Sequence, residues 1–275
     1  MRVWNRSTRA WDGFTAFSFA VSVCFVCSAI AIAGWFGPNF GITIRPLHFA
    51  IDTRSILLTA AGLLPALYCF LAYPECRSSL RKLNAGWKVY LIAITAGLIL
   101  PFTSYLGTHH PEFPWGSEAA MNLARLFAWN LLLTPLWEEI VWRGCFLKKV
   151  RSFSSASSGI LLMSIGFTLC HGGKIAILYS AGVPIDVLPF FPFIYFCLGI
   201  ILGSVFEMGG GSLWPCVLLH ACFNAATEVY AGSYNRVSEL GSYVAELVIL
   251  AIAAGCFLRA AIRQSRASFN AASSA

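Results

Sequence analysis

The chain of 275 residues is 58% hydrophobic and only 11% charged, with a mean hydropathy of +0.71, whereas an ordinary soluble domain is about 25% charged. That composition excludes a soluble enzyme and predicts an all-α polytopic membrane protein folded as one structural unit. The net charge of +7 arises from short basic clusters between apolar runs rather than from a stripe, which excludes nucleic acid as a partner and points to the lipid bilayer.

The N-terminus carries Arg2, Arg6 and Arg9 ahead of an apolar run over about 14–36. Although "AIA" at 31–33 resembles a signal-peptidase site, the run exceeds the roughly 7–15 residues of a signal core, so a retained first helix is expected. Ten cysteines lie almost entirely within apolar runs, where a thiol behaves as a small hydrophobe. Cys24 and Cys27 form a C-x-x-C, but with neither a second pair nor a soluble βαβ context it reads as packing.

Further predominantly apolar stretches near bilayer length fall at about 55–73, 87–106, 121–146, 158–180, 187–206, 212–231 and 241–260. About 20 residues span the hydrocarbon layer, so about eight transmembrane helices are expected. Lys174, Pro184, Asp186 and Pro189 blur the boundary between the fifth and sixth. "HHPEF", His109 to Phe113, falls in a loop with Pro111 and Pro114 and reads as a turn rather than a zinc site. A short polar tail, Ser265 to Ala275, closes the chain. With the N-terminus inside, thirteen Lys and Arg lie on inner segments and five on outer ones, which predicts both termini in the cytoplasm.

Three of these helices carry groups that lipid rejects: Glu138, Glu139 and Arg143 in the fourth, His171 in the fifth, His220 and Asn224 in the seventh. At 1.5 Å per residue, Glu138 lies roughly 15 Å and His220 roughly 13 Å from the cytoplasmic boundary, with His171 at about 20 Å. All three can therefore meet at one level. Glu139 and Arg143 are i,i+4 neighbours, as are His220 and Asn224, and such pairs share a face. Glu138 is turned about 100° from Glu139. One glutamate can thus pair with the arginine while the other points elsewhere. A charge at the centre of a membrane helix costs about 2.5–3.5 kcal/mol on insertion scales, and a structural clasp accounts only for Glu139 and Arg143.

The order E-E-x-x-x-R, F-x-x-x-H, H-x-x-x-N on successive apolar segments resembles the CPBP family of CAAX proteases and bacteriocin-processing enzymes. Here it reads Glu138-Glu139…Arg143, Phe167…His171 and His220…Asn224, and "GSLWP", Gly211 to Pro215, resembles the lead into the last motif. The likeness covers about residues 120–230. It implies a catalytic core over 121–231, while the N-terminal helices over 1–120 and the last helix with its basic cytoplasmic tail over 232–275 are recognisable only as membrane spans. It further implies an intramembrane endopeptidase acting on a membrane-associated or C-terminally tagged protein or peptide, in a bacterial inner membrane.

By similarity, Glu138 with His171 would hold and activate the water, Glu138 as general base. His220 and Asn224 would donate to the oxyanion. Glu139 and Arg143 would brace the helix, Phe167 would pack beneath His171, and Gly172 and Gly173 would allow close approach. The residues favour a metal-free, glutamic-type mechanism, although Glu138, His171 and His220 could instead form a two-histidine, one-carboxylate set for a divalent metal such as zinc. Three other readings stay open. Cys216, His220 and Asn224 line one face as a Cys-His-Asn set. A transporter is disfavoured, because no inverted repeat is visible. The last is a non-catalytic scaffold or immunity-type partner that keeps the fold.

Overall fold

A computed structural model describes residues 15, 22–23, 41–44, 49–106, 117–132, 134–180, 185–232 and 240–273. Most of the predicted first span, Cys24, Cys27 and the His109–Phe113 turn lie outside these residues.

The described chain is predominantly helical, with one departure from a purely helical fold. Strands β1 (Gly41–Ile44) and β2 (Phe49–Asp52) pair antiparallel, Gly41 opposite Asp52 and Ile44 opposite Phe49. Helix α1 (Thr53–Ala72) follows, then the short α2 (Pro74–Arg81), whose proline stands at the first turn where its missing N–H costs nothing. Helix α3 is Trp87–Leu106 and α4 is Ser117–Leu132.

The predicted fourth span, 121–146, is not one helix. A new start at Pro135 gives α5 (Pro135–Glu139), which widens into a π-helix over Ile140–Leu147 and closes as α6 (Lys148–Arg151). Proline suits a first helical position and not an interior one, which accounts for the restart. The predicted fifth span, 158–180, is also divided. Helix α7 (Ala156–Cys170) starts on Ser155, whose hydroxyl accepts from the Ser158 N–H, and ends where His171 leaves helical geometry at φ −85°, ψ 1°. Helix α8 (Gly172–Ser180) then begins afresh.

Helices α9 (Phe190–Met208) and α10 (Trp214–Gly232) are joined by a tight turn in which Gly210 and Gly211 adopt φ of 60° and 84°. Side chains rarely tolerate that region, and glycine does. The last helix, α11 (Leu240–Ser273), absorbs most of the expected polar tail and runs for 34 residues.

Helix α10 packs chiefly on α3 and α4, and α9 chiefly on α7 and α11, while the π-helix touches α1, α2, α7 and α9. The α3–α10 approach is set by Gly97: a Cβ there would lie 2.5 Å from the Leu219 carbonyl oxygen and 2.7 Å from the Cys222 Cβ. Small residues are what allow such backbone contact between apolar helices. The π-helix is sealed from end to end, each residue from Ile140 to Leu147 being buried.

The outer faces are apolar. Leu64 and Leu71 on α1, Leu91 and Ile99 on α3, Leu162 and Leu169 on α7, and Val248 and Ile252 on α11 are all exposed. Faces of this kind on several helices fit lipid contact better than water. By length and composition two described helices can cross a membrane, Phe190–Met208 and Tyr243–Ala267, with shorter apolar helices at Leu63–Ala72, Trp87–Phe102 and Ala156–Cys170. Eight unbroken spans are not what the described residues form. The eight described cysteines are all free.

Candidate functional site

Glu138, Glu139, Arg143, His171 and His220, from the fourth, fifth and seventh predicted spans, converge where α5 meets the π-helix. Glu139 and Arg143, both fully buried, make an ion pair with Arg143 Nη1 donating to Glu139 Oε1 at 2.9 Å. Arg143 Nη2 lies 3.5 Å from the Gly199 carbonyl oxygen on α9, and its guanidinium sits 4.6 Å from the Phe167 ring centroid. A buried arginine of this kind needs charge, acceptors and a flat partner together, and three helices supply them.

The same carboxylate oxygen, Glu139 Oε1, accepts from His220 Nδ1 at 2.9 Å. This link joins α5 to α10 across 81 residues of sequence, and it makes Glu139 more than a brace for its own helix. With its Nδ1 proton committed, His220 presents Nε2 to Glu138, whose Oε2 is 3.8 Å away. A carboxylate that fixes one ring nitrogen so that the other faces a reacting position is a recurrent orienting device.

Exposure separates the two glutamates. The Glu138 side chain keeps 22% of its surface open, against 0% for Glu139 and 4% for His220. Glu138 is therefore the carboxylate that a water or a peptide can reach.

His171 stands at the break between α7 and α8. Its Nδ1 lies 2.8 Å from the Phe167 carbonyl oxygen. A carbonyl only accepts, so Nδ1 carries the proton and the neutral ring offers a lone pair at Nε2. Phe167 lies against His171 with ring centroids 4.5 Å apart, and Tyr195 of α9 stacks on the other side at 4.2 Å and 26°. Phe167 also meets His220 and Trp142 edge-on at 6.2 and 6.1 Å, so a single phenyl ring touches both histidines and the arginine. Glu138 is within electrostatic range of His171. Asn224 lies one turn beyond His220 on α10, half-buried.

Other residues singled out from the sequence fall elsewhere. The Cys216 thiol donates to the Leu202 carbonyl oxygen at 3.3 Å, while His220 Nδ1 is held by Glu139. The thiol and imidazole of the Cys-His-Asn alternative are thus each engaged with other partners. A Cβ on Gly172 would meet nothing within 4 Å, so no neighbouring backbone requires glycine at that position. Among the described residues no three His, Cys, Asp or Glu side chains are grouped so as to hold a metal ion.

Sequence reasoning missed Tyr195, Gly199 and the bond from Glu139 to His220. Tyr195 had a faint signal, a polar-tipped ring inside an otherwise apolar run. Gly199 acts through its backbone carbonyl, which any residue would supply, and leaves no signal.

Carboxylates, an arginine and histidines sealed among apolar helices define the class of helical bundle with an intramembrane polar site. Residues 120–226 match the family model described as "Rce1-like: Type II CAAX prenyl endopeptidase Rce1-like". The matched segment contains every motif residue above and supports the CPBP/CAAX intramembrane protease family, a family of proteases. No curated protein matches the chain.

Proposed function

We propose that this protein is a glutamic-type intramembrane endopeptidase that hydrolyses a peptide bond of a membrane-associated or C-terminally tagged substrate. The observation that carries the reading is the asymmetry between adjacent carboxylates: Glu139 is buried and bound to Arg143 and His220, whereas Glu138 stays partly exposed and its buried Oε2, 3.8 Å from His220 Nε2, has no hydrogen-bond partner among the described residues. Arginine and Glu139 fix the geometry, and Glu138 is left for chemistry.

In this mechanism Glu138 takes a proton from a water held with His171. The resulting hydroxide attacks the scissile carbonyl carbon. The negative charge that develops on the carbonyl oxygen is met by His220 Nε2, when both ring nitrogens carry protons, and by the Asn224 amide. Donors aimed at developing charge in a dry site are typically worth a few kcal/mol each. Glu138 then returns its proton to the departing amide nitrogen as the carbon–nitrogen bond breaks, so the carboxylate ends as it began.

The exposed apolar faces favour a polytopic membrane protein, the basic clusters favour both termini in the cytoplasm with the site opening toward the cytoplasmic half, and the family resemblance suggests a bacterial inner membrane. The reading requires no metal, so activity in detergent should survive a chelator that strips zinc. Loss on chelation and recovery with zinc alone would replace it with a metal mechanism.

The deciding experiment compares membrane-protein termini in host cells carrying wild-type protein, Glu138→Gln or no protein, at matched expression. A terminus produced only by wild type establishes proteolysis and gives the cleavage site. If Glu138→Gln matches wild type at every terminus while deletion keeps a phenotype, the protein is a scaffold and Glu138 is not catalytic.

A further inference from the structure

A second polar region lies at the end of the molecule beyond the π-helix, away from the site described above. A cavity of about 690 Å³ opens between α2, the start of α6 and the α9–α10 turn, and four of its lining residues are Arg77, Arg81, Lys82 and Lys148. The pocket is built by the fold. Trp214 Nε1 donates to the Leu80 carbonyl oxygen at 2.7 Å, the Leu213 N–H to that of Ser79 at 3.3 Å, and the Ser212 hydroxyl to that of Lys82. These bonds lock α2 and the residues after it against the glycine turn.

Three of the four cations, Lys148, Lys82 and Arg77, bond to neutral groups only. Lys148 Nζ donates to the Glu75 carbonyl oxygen at 2.8 Å and to Ser78 Oγ at 3.3 Å, Lys82 Nζ to the Gly210 carbonyl oxygen, and Arg77 Nη1 to that of Leu71 at 3.4 Å. Among the described residues none of the four is in an ion pair. Glu207, the nearby carboxylate of α9, is tied to Arg151 at 2.9 Å, which leaves Glu75 on α2 as the local counter-charge. An ammonium has three donors and a guanidinium five, so most of their capacity is unspent. Ser79 gives an independent sign. It lines the cavity, is 1% exposed, and its hydroxyl has no hydrogen-bond partner among the described residues. Burial lowers the Lys148 pKa, with the like charge of Lys82 acting the same way, and an anion in the cavity would relieve both.

We propose that this pocket binds a phosphate group, presented by the headgroup of an anionic membrane lipid. Two features place it at headgroup level. Leu83 and Trp87, which follow Lys82 closely, are 66% and 70% exposed, and an exposed tryptophan beside lysines is an interfacial anchor. Gln264 Nε2 donates to the Met208 carbonyl oxygen at 2.9 Å, which brings the Arg259, Arg263 and Arg266 stretch of α11 to the same end. Basic pockets at a bilayer face bind anionic headgroups. The proposal does not rest on the catalytic reading.

The test reconstitutes the full chain in phosphatidylcholine nanodiscs with or without phosphatidylglycerol and follows thermal unfolding. Wild type should unfold at a higher temperature with phosphatidylglycerol, and Arg81→Gln/Lys82→Gln should lose more than half of that rise while unfolding like wild type in phosphatidylcholine alone. Arg259→Gln/Arg263→Gln, on the same end but outside the pocket, should keep the rise. Inorganic phosphate added to phosphatidylcholine discs distinguishes the source: a rise of equal size that Arg81→Gln/Lys82→Gln also loses assigns the pocket to free phosphate and overturns the lipid assignment. No rise with either probe, or an equal loss in both double variants, overturns the pocket itself.

Discussion

The cluster around Arg143 and the pocket beside Lys148 lie on one run of helix, less than two turns apart, and they treat charge in opposite ways. Arg143 is 0% exposed and commits Nη1 to Glu139 and Nη2 to Gly199, with an aromatic face below and Nε left without a hydrogen-bond partner among the described residues. Lys148 and its neighbours keep donors in reserve around an open cavity. A buried charge must be matched within the protein, because the desolvation penalty is several kcal/mol per ion. A charge at the boundary is matched by water, salt or lipid, and so remains free to recognise something. The first arrangement holds a geometry still; the second waits for a partner.

Perturbing each half should therefore give effects of very different size. The largest is expected from Arg143→Met, which leaves Glu139 buried without its counter-charge and should cost about 3–5 kcal/mol of stability. The double variant Glu139→Gln/Arg143→Met should recover part of that loss, measured by denaturation in detergent. If the single variant were as stable as wild type, the cluster would not be the closed unit described.

Next is His220→Gln, which removes the Nε2 group facing Glu138 and should lower turnover about 10²–10³-fold, the range for one oxyanion donor. Its stability should fall less than that of Arg143→Met. A variant that lost fold and activity in proportion would make His220 structural. Gly97→Ala tests the packing that carries α10: overpacking should cost about 1–3 kcal/mol, seen as a lower unfolding temperature with the same product termini. The smallest effect belongs to the boundary. Lys82→Gln in phosphatidylcholine discs should shift stability by no more than about 0.5 kcal/mol, as for surface substitutions generally.

What could be read from the sequence follows the range of the interaction. The Glu139–Arg143 pair is a contact within one helix, and its i,i+4 spacing announces it. The separation of Glu138 from Glu139 is also local, fixed by the angle per residue. The bond from Glu139 to His220 spans 81 residues, and nothing in spacing or composition selects that glutamate over its neighbour. Hydropathy marks apolar runs but is blind to their interruptions. The restart at Pro135 and the end of α7 at His171 fall inside stretches whose average is apolar despite their few charged residues. The π-helix is hidden in the same way, since its sequence "IVWRGCFL" has no period that separates it from α. The hairpin at Gly41–Asp52 sits in a segment too short and mixed for any run to be counted.

The bond from His171 Nδ1 to the Phe167 carbonyl has a consequence for the orientation of solvent. A ring whose Nδ1 proton is engaged within its own helix offers its other nitrogen as an acceptor alone. Any water molecule resting against that nitrogen must aim a hydrogen at it. In the proposed mechanism the same molecule gives a hydrogen to the Glu138 carboxylate when it loses its proton there. Both hydrogens are then turned inward, and the oxygen lone pairs face outward toward whatever peptide arrives. On the proposed mechanism, a single hydrogen bond at the end of α7 would thus set the polarity of the attacking molecule before any substrate is present.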